Sequence, residues 1–432
     1  MDITSIKVLS TVKLTVGKQE YEGLLMPQEG DYVVIKLSSG YNIGIHPKKI
    51  TNVEVLEEPK ASLKASGTPV SQDKTLPKVK ILHTGGTIAS KVDYTTGGVN
   101  ATFDPAELIA LFPELATLAN IESEFLGNMW SDDFRFAHFN KIATKIFEGA
   151  KQGITKFIVG SGTDFLHYLS AALSFLLKDL PVSVLVVGSQ RSSDRGSTDA
   201  AINLICATQF LTKTPFTGVG VCMHATQSDI TCHIISGTHV RKMHSSRRDA
   251  FQAINDEPIA TVNYQDKSIL LHKELEYQKE LSLPKEIFLF NEKLKIGMLY
   301  ARPQLFEEEL AVYDSFDGLL LVGSGLGQFP INMPNEDCDE HGQIFKTIEL
   351  LAKKIPIAMS VQTISGRVHM NVYSPGRRLQ DAGVIGHGST MMPEVSYIKL
   401  AWLLSNYSAD ETRKLFTEDI VGELNYNESN KQ

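Results

Sequence analysis

From Ile6 to Val55 the apolar residues come in short β-rich runs: Ile6–Leu9, Val12–Val16, Tyr21–Met26, Tyr32–Leu37, Tyr41–Ile45 and Ile50–Val55. Gly17 and the Pro27-Gln28-Glu29-Gly30-Asp31 stretch punctuate them, and this rhythm predicts about five or six strands in a small all-β barrel of SH3-like type. Periodicity then disappears from Glu57 to Lys78, where small, polar and proline residues read as an exposed linker. From Val79 the pattern alternates between buried strands and helices. Val79–Leu82, Phe157–Val159 and Val184–Val187 read as strands, and Leu166, Leu169, Leu173, Leu176, Leu177 and Leu180 fall on one helical face between the last two. A second series follows with Ile296–Tyr300, Gly318–Val322 and Ile357–Val361, and Pro393-Glu394-Val395 opens a helix near the end.

Strand, helix, strand in that order predicts α/β units with a parallel sheet and helices on both faces, with ligands outside the carboxyl ends of the strands. The expected division is a barrel over 1–57, a linker over 58–78, an α/β unit over 79–272, a charged linker over 273–294 and a second α/β unit over 295–432.

Composition changes this picture little. At 432 residues the chain is long enough for two or three domains, and 42% apolar with 21% charged residues is ordinary for a globular protein. The net charge of −8 argues against a broadly basic nucleic-acid-gripping surface. Four cysteines cannot make a disulfide framework and suit a reducing cytosol. No apolar stretch is long enough to span a membrane, and Met1-Asp2-Ile3-Thr4 carries no export signal, so a cytoplasmic location is expected.

Candidate chemistry gathers where strands end. Ile81-Leu82-His83-Thr84-Gly85-Gly86-Thr87 runs from a strand into a glycine pair and a hydroxyl, a pattern that can turn backbone N–H groups and Thr87 toward a ligand. The plainer alternative is an ordinary strand-to-loop turn. Phe157-Ile158-Val159-Gly160-Ser161-Gly162-Thr163-Asp164 repeats the design, although Thr163 or Asp164 could simply cap the helix that follows. Two such threonines at one sheet edge would face one crevice. Val240-Arg241-Lys242-Met243-His244-Ser245-Ser246-Arg247-Arg248 reads either as a solvated basic face or as the source of a lysine that assists a threonine, since an unaided threonine is a weak nucleophile. The Cys222-Met223-His224 and Cys232-His233 pairs lack zinc-finger spacing and read as core residues, so no metal is expected. Trp130 and Trp402 read as residues that pack in cores or at interfaces.

Taken together, Thr84-Gly85-Gly86-Thr87-Ile88-Ala89, Gly162-Thr163-Asp164 and Ser236-Gly237-Thr238-His239-Val240-Arg241-Lys242 resemble the bacterial-type L-asparaginase/glutaminase family over roughly Lys78 to Leu404. Val240–Phe251, Gln190–Arg195 and Asn371–Gly376, with the added N-terminal barrel, narrow the resemblance to the D-subunit family of archaeal glutamyl-tRNA(Gln) amidotransferases. The resemblance implies Thr87 as nucleophile on the side-chain amide of glutamine, and Thr163, Asp164 and Lys242 as the group that handles the proton. It further implies Tyr94 on a mobile lid, substrate binding around Gly86, Gly162 and Ser189, and Asp164 near the substrate α-amino group.

The same resemblance implies no cofactor in this chain. It implies a partner, the amidotransferase E subunit, that uses ATP and Mg²⁺ on Glu-tRNA(Gln), most of the tRNA grip in that partner, and a homodimer within a heterotetramer. A free-standing cytoplasmic L-asparaginase and a catalytically weakened scaffold protein are the alternatives. Ser161 and Phe165-Leu166 depart from the family's usual flanks, and Gly196 stands where proline is usual. Leu126 in Phe125-Leu126-Gly127-Asn128-Met129 stands where the family carries a contact to the substrate carboxylate, which a leucine side chain cannot make.

Overall fold

The computed structural model describes residues 6–8, 10–26, 32–37, 42–58, 72–86, 90–92, 99–101, 109, 112–191, 198–275 and 282–425. The N-terminal unit is one antiparallel sheet of β1 (Thr11–Val16), β2 (Gln19–Leu25), β3 (Val33–Leu37), β4 (Asn42–Ile45) and β5 (Ile50–Glu57), in the order β4-β3-β2-β1-β5. Alternation along each strand sends Val12, Leu14, Leu25, Val33, Ile35 and Ile45 to one buried face. Residues 6–8 are not a strand, and Ile6 instead packs against that apolar cluster from outside the sheet.

The central unit is an eight-stranded sheet built from β6 (Lys78–His83), β9 (Asn120–Phe125), β10 (Lys156–Gly160), β11 (Ser183–Val187), β12 (Gly218–His224), β13 (Thr231–Ser236), β16 (Ala260–Asn263) and β17 (Ile269–Leu271). Two antiparallel ribbons stand beside it, β7 (Ser90–Val92) with β8 (Val99–Ala101), and β14 (Val240–Lys242) with β15 (Phe251–Ala253). In the order β17-β16-β13-β12-β11-β10-β6-β9, the strands from β12 to β9 are parallel. β13, β16 and β17 are antiparallel and extend the expected parallel strands at one edge. The connection from His224 to Thr231 is too short for the crossover that a parallel neighbour requires.

Period-2 alternation covers both faces. Phe157, Val159, Val184 and Val186 pack with the helices Phe136–Lys151 and Leu166–Leu176, while Ile158, Leu185 and Val187 pack with the helix Ala200–Lys213. The third unit is a parallel sheet of β18 (Ile296–Tyr300), β19 (Gly318–Gly323) and β20 (Ile357–Val361). One of its faces carries the helix Glu340–Lys354. The other shares a core with the central unit through the helix Pro393–Asn406, whose Trp402 is fully buried, 5.6 Å from the Phe175 ring.

The 273–294 stretch holds no helix or strand among its described residues, yet it is stitched down. Asn140 Nδ2 donates to the Phe290 carbonyl, and Trp402 Nε1 donates to that of Phe288.

Candidate active site

β6 and β10 lie side by side and parallel, with His83 opposite Gly160, so both chains leave the sheet at the same edge. Thr84 ties the exits together, its amide and hydroxyl donating to the Gly160 carbonyl at 3.1 and 2.9 Å. Gly85 and Gly86 follow at φ +114° and +80°. A Cβ on Gly85 would stand 2.4 Å from the Met129 backbone, and one on Gly86 would stand 2.6 Å from the Gly162 nitrogen. The glycine pair therefore lets the loops after β6, β9 and β10 close backbone to backbone. Thr87 and Tyr94 lie outside the described residues.

Thr163 and Asp164 do not cap the following helix. Its N-cap is Phe165, whose amide donates to Ser131 Oγ at 3.0 Å, so Ser131 relieves both side chains of that work. Lys242, from β14, reaches them instead. Its Nζ donates to Thr163 Oγ1 and to Asp164 Oδ1, each at 2.8 Å. The lysine side chain is 9% exposed, whereas that of Asp164 is 71% exposed and faces the opening.

The remaining cations of the basic stretch each find a carboxylate. Arg247 pairs with Asp249, Arg248 with Asp229, and Arg241 Nη2 with Glu394 Oε1 at 3.1 Å. The expectation of a solvated basic face thus gives way to a segment whose charges are individually committed.

Asp164, His167, Arg241, Lys242, His244 and Glu394 line a cavity of about 330 Å³. Burial holds the His167 imidazole down to about 4, aided by the charges of Arg241 and Lys242, so the ring is neutral near pH 7. Burial pushes the Glu394 carboxyl up against the pull of Arg241, and it raises the Tyr168 and Tyr300 phenols beside it.

Gly86 and Gly162 lie together at the shared edge of β6 and β10. Ser189 is buried, with its hydroxyl engaged by Asp199 Oδ1 at 2.9 Å and by the Arg191 carbonyl. Its turn touches the site through Gly188, where a Cβ would lie 2.8 Å from Thr163 Cγ2.

Leu126 is buried among Phe134, Phe139 and Ile142. Its loop is held by backbone bonds, from the Leu126 amide to the His83 carbonyl at 2.8 Å and from the Met129 amide to that of Thr84 at 3.0 Å. Position 126 is therefore a core position here. Trp130 is 76% exposed and so is not a core residue of this chain.

Sequence reasoning misses Ser131, His167 and Glu394 and sees Arg241 only as part of a charged run. Each lies on a different element, and no spacing along the chain signals their meeting. Cys206, Cys222 and Cys232 lie buried, with the Cys222 and Cys232 thiols directed at Asn203, and burial pushes both of those thiols up.

Comparison with known proteins matches this geometry to a family. Residues 78–277 match the family model "Asparaginase, N-terminal", 295–416 match "Glutaminase/Asparaginase C-terminal domain", and 6–56 match "GatD N-terminal domain". The chain is 39% identical over 423 residues to the D subunit of the glutamyl-tRNA(Gln) amidotransferase of Methanococcus maripaludis strain C5, covering 96% of this chain and 97% of that one. It is likewise 39% identical over 415 residues to the protein of that name from Pyrococcus abyssi, covering 94% and 91%. The chain belongs to the D-subunit family of glutamyl-tRNA(Gln) amidotransferases. Among solved structures, the L-asparaginase of Thermococcus kodakarensis superposes with a TM-score of 0.68 at 29% identity, covering 81% of this chain and 99% of that one.

Proposed function

We propose that this chain is the glutamine-hydrolysing component of a tRNA-dependent amidotransferase, acting in the cytoplasm. The observation that carries the reading is Lys242 Nζ, bonded at once to Thr163 Oγ1 and Asp164 Oδ1 at the shared edge of β6 and β10. Membership of the D-subunit family supplies the substrate class.

In this reading Thr87 Oγ attacks the side-chain carbonyl carbon of glutamine, and the proton it sheds passes to the Thr163–Lys242 pair. N–H groups of the Gly86 and Gly162 loops stabilise the oxyanion. The tetrahedral adduct collapses, the C–N bond breaks, and the amide nitrogen leaves as ammonia with the returned proton. Water then hydrolyses the threonyl ester to glutamate and regenerates the hydroxyl. Asp164, open to the cavity, holds the substrate ammonium group. Tyr94 closes over the bound substrate.

Ammonia passes to a partner, the amidotransferase E subunit, which uses ATP and Mg²⁺ to activate Glu-tRNA(Gln) and completes Gln-tRNA(Gln). The working assembly is a homodimer of this chain within a heterotetramer. No cofactor is assigned to this chain.

Ammonia release from glutamine and asparagine tests the reading, with and without the E-subunit partner, ATP and Glu-tRNA(Gln), for the wild type and Thr87→Ala. Glutamine hydrolysis that rises with the partner and vanishes in Thr87→Ala supports it. Partner-independent asparagine hydrolysis favours a free-standing asparaginase, the second reading that the Thermococcus kodakarensis likeness keeps in view. Hydrolysis of neither amide under any condition identifies a scaffold protein.

A further inference from the structure

The Lys242–Thr163–Asp164 group is assembled within the central unit, yet one side-chain tie to its lysine-bearing strand comes from the third. β14 (Val240–Lys242) pairs over three residues with the equally short β15, and Val240 and Phe251 bury this ribbon in the shared core; a further tie acts at Arg241 itself. Arg241, adjacent in the chain to Lys242, sends its guanidinium to Glu394 Oε1 at 3.1 Å. Glu394 sits in the first turn of the helix Pro393–Asn406, its side chain 7% exposed. That helix is itself clamped against Leu166–Leu176, the helix that begins two residues after Asp164. Both partners of Lys242 and the anchor of its neighbour thus hang on one pair of packed helices.

We propose that Glu394 is a positioning residue for catalysis, which through Arg241 holds β14 so that Lys242 Nζ meets Thr163 and Asp164. The inference rests on the catalytic reading of Lys242 given above. A carboxylate buried merely for stability would gain from having both oxygens bonded, yet Glu394 Oε2 has no hydrogen-bond partner among the described residues. His167 Nε2 lies 3.9 Å from Glu394 Oε1, beyond hydrogen-bond length, so Arg241 is the directed contact. Titratable groups face Glu394 from every neighbouring element: His167 and Tyr168 on the helix after Asp164, Arg241 and Lys242 on β14, and Tyr300 at the end of β18. The link makes the third unit a determinant of catalytic geometry. Small rotations of the Pro393–Asn406 helix are transmitted to Lys242 without any contact to substrate.

The test compares full-length wild type with Glu394→Gln, Glu394→Asp, Arg241→Met and the double variant Glu394→Gln/Arg241→Met. Glutamine kinetics are measured with the partner present, and acylation of Lys242 by an amine-reactive reagent is followed by peptide mapping. Misplacing a catalytic group by about 1 Å can cost on the order of 100-fold. Glu394→Gln and Arg241→Met are therefore expected to lower kcat roughly 10- to 100-fold with KM held within about 2-fold. The double variant should be no worse than either single one, Glu394→Asp should recover part of the loss, and Lys242 should label several-fold faster in both single variants.

Unchanged kcat with unchanged labelling, or effects that multiply in the double variant, overturns the proposal. Should Glu394→Gln fail to fold, Arg241→Met carries the same two readouts from the more exposed side of the pair. A wild type that hydrolyses no glutamine defeats the functional reading alone, because the Lys242 labelling still decides whether Glu394 holds the strand.

Discussion

Gly86 and Gly162 approach so closely that a Cβ on the first would stand 2.6 Å from the backbone nitrogen of the second. Gly86 also sits at φ +80°, where a side chain is strained whatever the space. Gly153 offers a comparison, with φ +84° and nothing within 4 Å of its Cβ position. Gly153→Ala should therefore lose only the conformational part, about 1–2 kcal/mol, with activity kept. Gly86→Ala should lose that and also push the two loops apart, lowering glutamine hydrolysis by roughly 100-fold. Thermal melts and ammonia assays on the two variants separate strain from displacement. Equal activity in both would mean the close approach is irrelevant to the chemistry.

Lys242 joins a hydroxyl and a carboxylate that the chain places 79 and 78 residues away. Lys242→Met should leave the fold intact and reduce kcat by roughly 10²- to 10⁴-fold, the usual range for loss of a proton-handling group. Lys242→Arg should not restore it, because a guanidinium keeps its charge and its planar fork cannot reproduce a point contact to both oxygens. Circular dichroism and single-turnover ammonia release check the two parts. Wild-type turnover in Lys242→Met would remove the lysine from the mechanism.

The two strand-end motifs and the parallel order of β6, β10 and β11 are legible in the sequence because they are local. Each is a buried apolar run followed by small residues, and a strand–helix–strand connection favours parallel neighbours. The antiparallel edge is not, because strand direction depends on the length of the connection after His224, which apolar periodicity does not record. At the site, Thr163, Asp164 and Lys242 are legible because their residue types imply shared chemistry. Glu394 and Ser131 are not, since their roles arise from where helix packing delivers them. Leu126 reads in sequence as a defect in a substrate contact, and only its packing with Phe134 and Phe139 shows a side chain turned to the core.

His83 is held down to about 4 by burial, against an ordinary value of 6.5. A base whose folded pKa is depressed binds fewer protons folded than unfolded, so its contribution is complete above about pH 6.5 and is lost as pH falls toward 4. The gap corresponds to at most roughly 3 kcal/mol. His167 acts in the same direction, while Glu394, raised by burial, acts in the opposite one, which makes His83 the cleaner probe. Urea unfolding of wild type and His83→Gln at pH 7.0 and about pH 4.5 should show the smaller acid loss in the variant. Parallel curves would show that His83 does not titrate on unfolding in this range.

Lys399 and Glu423 form an ion pair with both side chains fully buried. Burial pushes the lysine down and the glutamate up, so desolvation dominates each group, and the pair persists because both are also bonded to the backbone. Glu423 accepts from the Ile420 and Val421 amides, and Lys399 donates to the Glu418 carbonyl, which ties the C-terminal segment to the helix Pro393–Asn406. Removing one charge strands the other, so Lys399→Met should destabilise by about 3–5 kcal/mol. Lys399→Met/Glu423→Gln should regain much of that, because a glutamine oxygen still accepts from both amides while carrying no charge. Denaturant melts of the single and double variants give the comparison. A double variant as unstable as Lys399→Met would mean that the lost contact to the Glu418 carbonyl, rather than the unpaired carboxylate, sets the cost.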